Sequence, residues 1–341
     1  DVLGGAIGSN VGGGVRMARA QQIFGQGALI NTGQATDLAL SGEGFFVVEG
    51  NVGGVQGQFF TRAGQMQPDK DGFLTTPNGL KLMGYASDGN GGFLGTLGPI
   101  QLPTAPLPPK PTSTFQVDGN LDANATPPSL PWDPANPSQT SNFSTSTTMY
   151  DSLGNAHTVD VYYRNTGPGQ WEYHALVDGG EVTGGTPGTP VDIASGTLQF
   201  DPNGALQTHT PTAGGTVDFV GAQPGQAITL DFGTPTSAGG TGTDGLTGYG
   251  SPSTVPQQQQ DGYSSGPLQG VQVDATGVVT GVYSNGQQMP IAQIAVAKFA
   301  SQDGLARAGN NVWMKTRESG EPALGPAGSG GIGRRRMRVA G

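Results

Sequence analysis

The stretch DLALSGEGFFVVEG (residues 37–50), followed by GQFFTRAG (57–64) and GFLTTPNGLKLMGYAS (72–87), decides the fold class. Each segment holds a short apolar run of strand length bounded by Gly, Asn or Asp, the punctuation of an all-β domain. The rhythm continues in HTVDVYY (157–163) and QIAVAKF (293–299). Gly supplies 61 of the 341 residues, well above the usual ~7%. Its placement between the runs makes many of these glycines corners rather than signs of disorder.

Upstream, VRMARAQQIFGQGALINTG (15–33) reads as a short helix or an extended arm. Downstream, LPTAPLPPKPTST (102–114) is Pro-rich, a composition that favours a stiff extended connector. A second β region follows, with NFSTSTTMYDSLGNAHTVDVYYRN (142–165), GQWEYHALVDGG (169–180), GTLQFDPNGALQTH (196–209) and QAITLDFG (226–233). Two low-complexity tracts, 179–190 and 233–260, read as long loops. The second tract returns the chain to GPLQGVQVDATGVVTGVYSNGQQMPIAQIAVAKFAS (266–301), in the style of the first region. The expected architecture is two β-rich domains. The first is discontinuous (1–110 and 259–341) and the second (111–258) is inserted into it. Two neighbouring connectors, near 102–114 and 250–265, then form a paired hinge.

Charged residues make up only 12% of the chain and the net charge is −10. Phosphate backbones demand clustered Lys and Arg, so nucleic acid is not an expected partner. The absence of Cys excludes disulfides, thiol chemistry and thiolate metal sites. No apolar run approaches the ~18 residues of a membrane span, and no signal peptide is visible. A chain that starts at Asp1 without Met is expected to be a piece of something longer.

QPDKDGFLTT (67–76) has the look of half a calcium loop. Setting Gly72 at the sixth EF-hand position puts Gln67 first and Asn78 twelfth, so the bidentate Glu and the first charged ligand are both missing. The frame recurs as DSLG at Asp151, DPNG at Asp201 and DATG at Asp274. What persists is Asp followed three residues later by Gly, a turn preference in which the carboxylate accepts amide protons and Gly takes the left-handed conformation. GSGGIG (328–333) matches a dinucleotide fingerprint by letter, but no buried strand precedes it and no acid follows at the required distance. His157, His174 and His209 lack metal-ligand spacing and read as solvated or cross-strand residues. GRRRMRVAG (333–341) reads as a solvated basic segment near a junction, or as the counterpart of an anionic subunit surface. Trp171, Trp313, Phe45, Phe46 and Phe299 read as core anchors. Carboxylates for glycoside hydrolysis are available, but no Trp-rich cleft accompanies them. No catalytic, cofactor-binding or metal-ligating residue is assigned, and no enzymatic activity or cofactor is expected.

On these segments a family resemblance rests. TDLALSGEGFFVVEG with FFTRAGQMQPDKDGFLTTPNGLKLMGY resembles the signature region of the bacterial flagellar rod and hook family. STTMYDSLGNAHTVDVYYRNTGPGQWEYHALVDGG and GTLQFDPNGAL resemble the inserted domain of its hook-type members, and the segment from GVYSNGQQMPIAQIAVAKF to GGIG their return into the first domain. Distal-rod-type members lack a middle domain of this size, so the insert favours the hook type. The α-helical terminal segments that family members pair as a coiled coil have no counterpart here, which makes this chain a truncated core fragment by resemblance. The resemblance implies a structural subunit of a helical tubular homopolymer outside the cell, a universal joint carrying motor torque to the filament. It further implies export by the flagellar type III apparatus, and hook cap, distal rod and hook–filament junction proteins as neighbours. A distal-rod-type protein and a secreted β-rich adhesin or binding module are the alternatives. An adhesin needs a concave aromatic or polar site, and no residues cluster in the sequence to supply one.

Overall fold

The computed structural model describes residues 32–327 and the strand Arg335–Val339. Residues 15–31 of the expected helix or arm, and the GSGGIG stretch, lie outside the described residues. Among the described residues the elements are strands, apart from a four-residue helix at Pro137–Thr140 and two 3-10 turns at Gly179–Glu181 and Thr236–Ala238. The fold is all-β. No helix among them is long and apolar enough to cross a membrane. The chain divides into two compact units. One comprises residues up to Thr104, Gln269–Val282 and those from Gln288 onward; the other comprises Ala105–Leu268 and Tyr283–Gln287.

The first unit is built around Phe45–Val52. It forms an antiparallel hairpin with Val55–Thr61, in register Val47↔Phe60 and Val48↔Phe59. Its other edge is shared by Gln288–Lys298 (Phe45↔Ala297) and Lys81–Ser87 (Val48↔Leu82). Four consecutive residues, Phe45 to Val48, are fully buried. Successive strand side chains point to opposite faces, so this sheet is covered on both sides here. On one face Phe45 and Phe60 meet Phe299 edge-on, with centroids 6.1 and 4.7 Å away, and Trp313 lies 5.7 Å from Phe45. Each such ring contributes about 1.5–3 kcal/mol on burial. The basic segment expected to be solvated contains the strand Arg335–Val339, which pairs antiparallel with Leu38–Ser41.

The second unit packs two sheets over one core. A five-stranded antiparallel meander runs Phe143–Tyr150, Ala156–Gly167, Gln170–Asp178, Pro190–Phe200 and Leu206–Gly214. Alternation sets its faces: His157, Val159, Val161, Tyr163 and Asn165 point inward, and Thr158, Asp160, Tyr162 and Arg164 outward. The facing sheet centres on Thr114–Asn120, which is parallel to Thr229–Asp231 and Leu246–Thr247 and antiparallel to Thr254–Gln260. Trp171, Tyr163, Tyr173, Phe115, Phe219 and Phe232 fill the space between the sheets.

The tract 233–260 is therefore not a long loop; it contributes two strands and a 3-10 turn. The physical reason is that an edge strand is held by backbone bonds, which polar composition does not weaken. Nor are its glycines there for flexibility. A Cβ on Gly245 would sit 2.2 Å from the Phe232 carbonyl oxygen, so glycine permits a close backbone approach. The tract 179–190 is a loop opened by a 3-10 turn, and Asp178 closes it by accepting from Gly180 N (2.7 Å) and Gly188 N (2.9 Å).

Candidate functional site

The Asp-to-Gly corners share one geometry. Asp69 Oδ1 accepts from Asp71 N and Phe73 N, both at 2.9 Å. Asp151 Oδ1 accepts from Leu153 N and Asn155 N, Asp201 Oδ1 from Asn203 N and Ala205 N, and Asp274 Oδ1 from Thr276 N and Val278 N. In each corner the Gly donates to the Asp carbonyl, and Gly72, Gly154, Gly204 and Gly277 have φ between +80° and +86°. The inward carboxylate oxygen is thus occupied by two amide protons, the arrangement of a turn. Bonds of this kind, that from Ala205 N foremost, hold the Asp201 carboxyl below its ordinary range. Among the described residues no group of three or more acidic, His or Cys side chains surrounds a point where a metal could sit.

The histidines are paired. His157 is buried, stacks on Phe219 at 3.7 Å, and lies between two carboxylates: Nδ1 is 2.8 Å from Glu181 and Nε2 is 3.3 Å from Asp151. A general base needs one free ring nitrogen for substrate; here both face carboxylates. This burial corrects the solvated half of the expectation of a solvated or cross-strand role. His174 Nδ1 lies 2.8 Å from Asp192, and its ring stacks under Trp132 at 4.0 Å. Tyr173 Oη lies 2.9 Å from His209 Nε2. Burial, with Asp192 adding to it, pushes the Tyr173 phenol up to about 12, so the hydroxyl stays protonated. Burial also lowers the His209 pKa, against an opposing pull from Asp231.

The arrangement with the clearest mechanical consequence joins the two connector segments inside the second unit. Leu107 pairs with Gly266 and Lys110 with Tyr263 through reciprocal backbone bonds. Prolines lack the N–H such pairing needs, and the pairing falls on the non-proline positions of PLPPKPT. Asp261 closes this ribbon. Its Oδ1 accepts from Ser113 N (2.7 Å) and Thr114 N (2.9 Å), and its Oδ2 from Ser113 Oγ (2.7 Å) and Lys110 Nζ (2.9 Å). Burial pushes this carboxyl up, but the bonds from Thr114, Ser113 and Lys110 outweigh it and hold it well below the carboxylate range. Thr112, fully buried, donates to Gln260 Oε1 and accepts from Tyr150 N, both at 2.9 Å. A Cβ on Gly262 would meet Thr112 Oγ1 at 2.3 Å, so only glycine lets the segments lie this close. The residues expected to form a paired hinge are cross-laced between 107 and 114 on one side and 260 and 266 on the other. The sequence signal available was the Asp–Gly pair ending QQQQDG; its partners lie far away in the chain.

Two family models match this chain: one described as the flagellar hook protein FlgE/F/G D1 domain, over residues 39–123, and one described as the flagellar basal body protein FlaE D2 domain, over residues 120–263. The flagellar hook protein FlgE of Salmonella typhimurium strain LT2 is 32% identical over 330 residues, covering 96% of this chain and 77% of that protein. The protein of the same name from Treponema pallidum strain Nichols is 34% identical over 376 residues, covering 97% and 77%. The crystal structure of Helicobacter pylori flagellar hook protein FlgE2 superposes with a TM-score of 0.63 at 16% identity, covering 92% of this chain and 99% of that one. That likeness is one of fold.

Proposed function

The chain belongs to the flagellar hook protein family and is a structural subunit of the hook, and from that premise we propose that it works as a load-bearing element of a universal joint, with no catalytic role. Copies of the chain form a helical tube outside the cell. The tube couples motor rotation to the filament. The subunit reaches its place through the flagellar type III apparatus and meets cap, distal-rod and junction proteins at the ends of the tube. The observation that carries this reading is the laced ribbon of residues 107–114 and 260–266, in which two chain segments run as one stiff strut.

A bent rotating tube shortens and lengthens each of its longitudinal rows once per turn. Close-packed cores resist such strain, and so does the ribbon, so the compliance falls to exposed residues 103–106 and to surfaces between subunits. A chain with only 12% charged residues has few ion pairs to break when contacts are exchanged. Against a distal-rod reading, the hook relatives align through the middle region as well as the flanks. Electron microscopy of the full-length gene product tests the proposal. Curved tubes are expected; straight rods only, or monomers under conditions where a hook relative polymerises, would overturn it.

A further inference from the structure

The chain contains four Asn–Gly pairs: Asn78–Gly79, Asn90–Gly91, Asn203–Gly204 and Asn285–Gly286. An Asn followed by Gly can cyclise, because the glycine nitrogen reaches the preceding side-chain carbonyl unhindered by a Cβ. By sequence the four are equivalent. The structure separates them. Gly79 N donates to Thr76 O (2.8 Å), Gly204 N to Asp201 O (2.9 Å) and Gly286 N to Tyr283 O (3.0 Å). Asn285 is further held by donating to Ser264 O at 2.6 Å and accepting from Gln287 N at 3.1 Å. At the remaining pair, among the described residues, neither Gly91 N nor the Asn90 side chain makes a hydrogen bond. Both residues are exposed. Gly89 and Gly91 have φ of +79° and +89°, and no atom lies within 4 Å of where a Cβ would stand on either. The loop is clamped below its tip, where Asp88 Oδ1 accepts from Asn90 N and Gly92 N and Asp88 N donates to Gly92 O. The hairpin ladder ends at Ser87↔Phe93, so the tip lies beyond it.

We propose that Asn90 is a self-modifying site that converts to aspartate and isoaspartate while the other three Asn–Gly pairs of the folded chain are protected. Hydroxide removes the Gly91 amide proton, and the nitrogen attacks Asn90 Cγ. The N–Cγ bond forms, the Cγ–Nδ2 bond breaks, and ammonia leaves with a proton taken from water. The product is a five-membered cyclic imide. Water adds to either of its carbonyls, opening it to aspartate or to isoaspartate; the net change is amide plus water to carboxylate plus ammonium. Each event adds one negative charge to the hairpin tip. The isoaspartate route also inserts a methylene into the main chain. Protection elsewhere follows from the hydrogen bond that each of the other glycine amides must break before it can react, a factor of up to about tenfold apiece.

The test is peptide mapping by mass spectrometry after incubating the folded protein in mild alkali, with a parallel incubation in denaturant. In the folded protein Asn90 is expected to convert about two- to tenfold faster than any other pair. In denaturant the other three should rise to a comparable rate. Asn90→Gln should abolish the acidic species that ion exchange resolves, and Gly91→Ala should slow their appearance. A different pair leading in the folded protein would overturn the proposal. So would the same ranking in denaturant, which would place the selectivity in local sequence.

Discussion

Asp261 reaches back 148 positions along the chain to hold Ser113 N, and it makes four bonds to Lys110, Ser113 and Thr114 in all. Hydrogen bonds to a charged group are worth about 1.5–3 kcal/mol net, and the site is partly open to water. Asp261→Ala should therefore lower the unfolding free energy by about 1–3 kcal/mol, measurable by urea titration. The pH sign follows from the depressed carboxyl. Its contribution is complete above the unfolded value of about 3.9 and is lost as pH falls through the folded value, so the variant should show a shallower acid limb than the parent. His209 has its own window. Burial depresses its pKa, so the stability it contributes is present above about 6.5 and lost as pH falls through its folded value. His209→Gln, which can still accept from Tyr173, should flatten stability against pH in mild acid. An unchanged slope there would remove His209 from the account. Residue-scale legibility tracks sequence distance. The turns at Asp69, Asp151, Asp201 and Asp274 were readable because donor and acceptor lie within four residues. Asp261 and the His157 pairing with Glu181 were not, because their partners arrive only with the fold.

At the scale of elements, the strands that announced themselves are those with one buried face. Ala156–Gly167 alternates buried with half-buried or exposed residues along nearly its whole length, so its period is written in the sequence. Thr254–Gln260 is the opposite case. Its residues are Thr, Val, Pro and four Gln, none of them buried, and its place comes from pairing with Thr114–Asn120. Composition reads such a segment as a loop. The short parallel pairings of Thr229–Asp231 and Leu246–Thr247 with the same strand were equally invisible, since two or three residues carry no period. The ribbon that continues from these strands offers a direct test. Gly262→Ala would drive a Cβ to 2.3 Å from Thr112 Oγ1 and 2.7 Å from Thr112 N. Overpacking against backbone costs about 1–3 kcal/mol, and the strain falls on the pairing next to it. Amide exchange at Lys110 and Tyr263 should speed up, while exchange in the Phe45–Val52 hairpin of the other unit should not change. Equal acceleration in both places would mean that the substitution acts on global stability alone.

At the scale of the whole molecule, the two units have separate cores. One gathers Phe45, Phe60, Met83 and Phe299; the other gathers Trp171, Tyr163, Tyr173 and Phe232. The return of the first region's style after residue 260 is the sequence signal from which an insertion of one β domain into another is proposed. Where the units divide depended on pairings such as Leu107 with Gly266, which composition does not record. Independent cores make a thermodynamic claim, because cooperative unfolding extends only as far as continuous packing does. Deleting a large buried aromatic costs about 3–5 kcal/mol at its own site. Phe299→Ala should therefore lower one calorimetric transition and leave a second in place, and Trp171→Ala should do the reverse. Each variant should retain the strand signature of the unaffected unit between the two midpoints. If both substitutions shift a single transition together, the units fold as one cooperative body. The chain would then bring one rigid piece to the hook, and bending would have to reside wholly in the contacts between subunits.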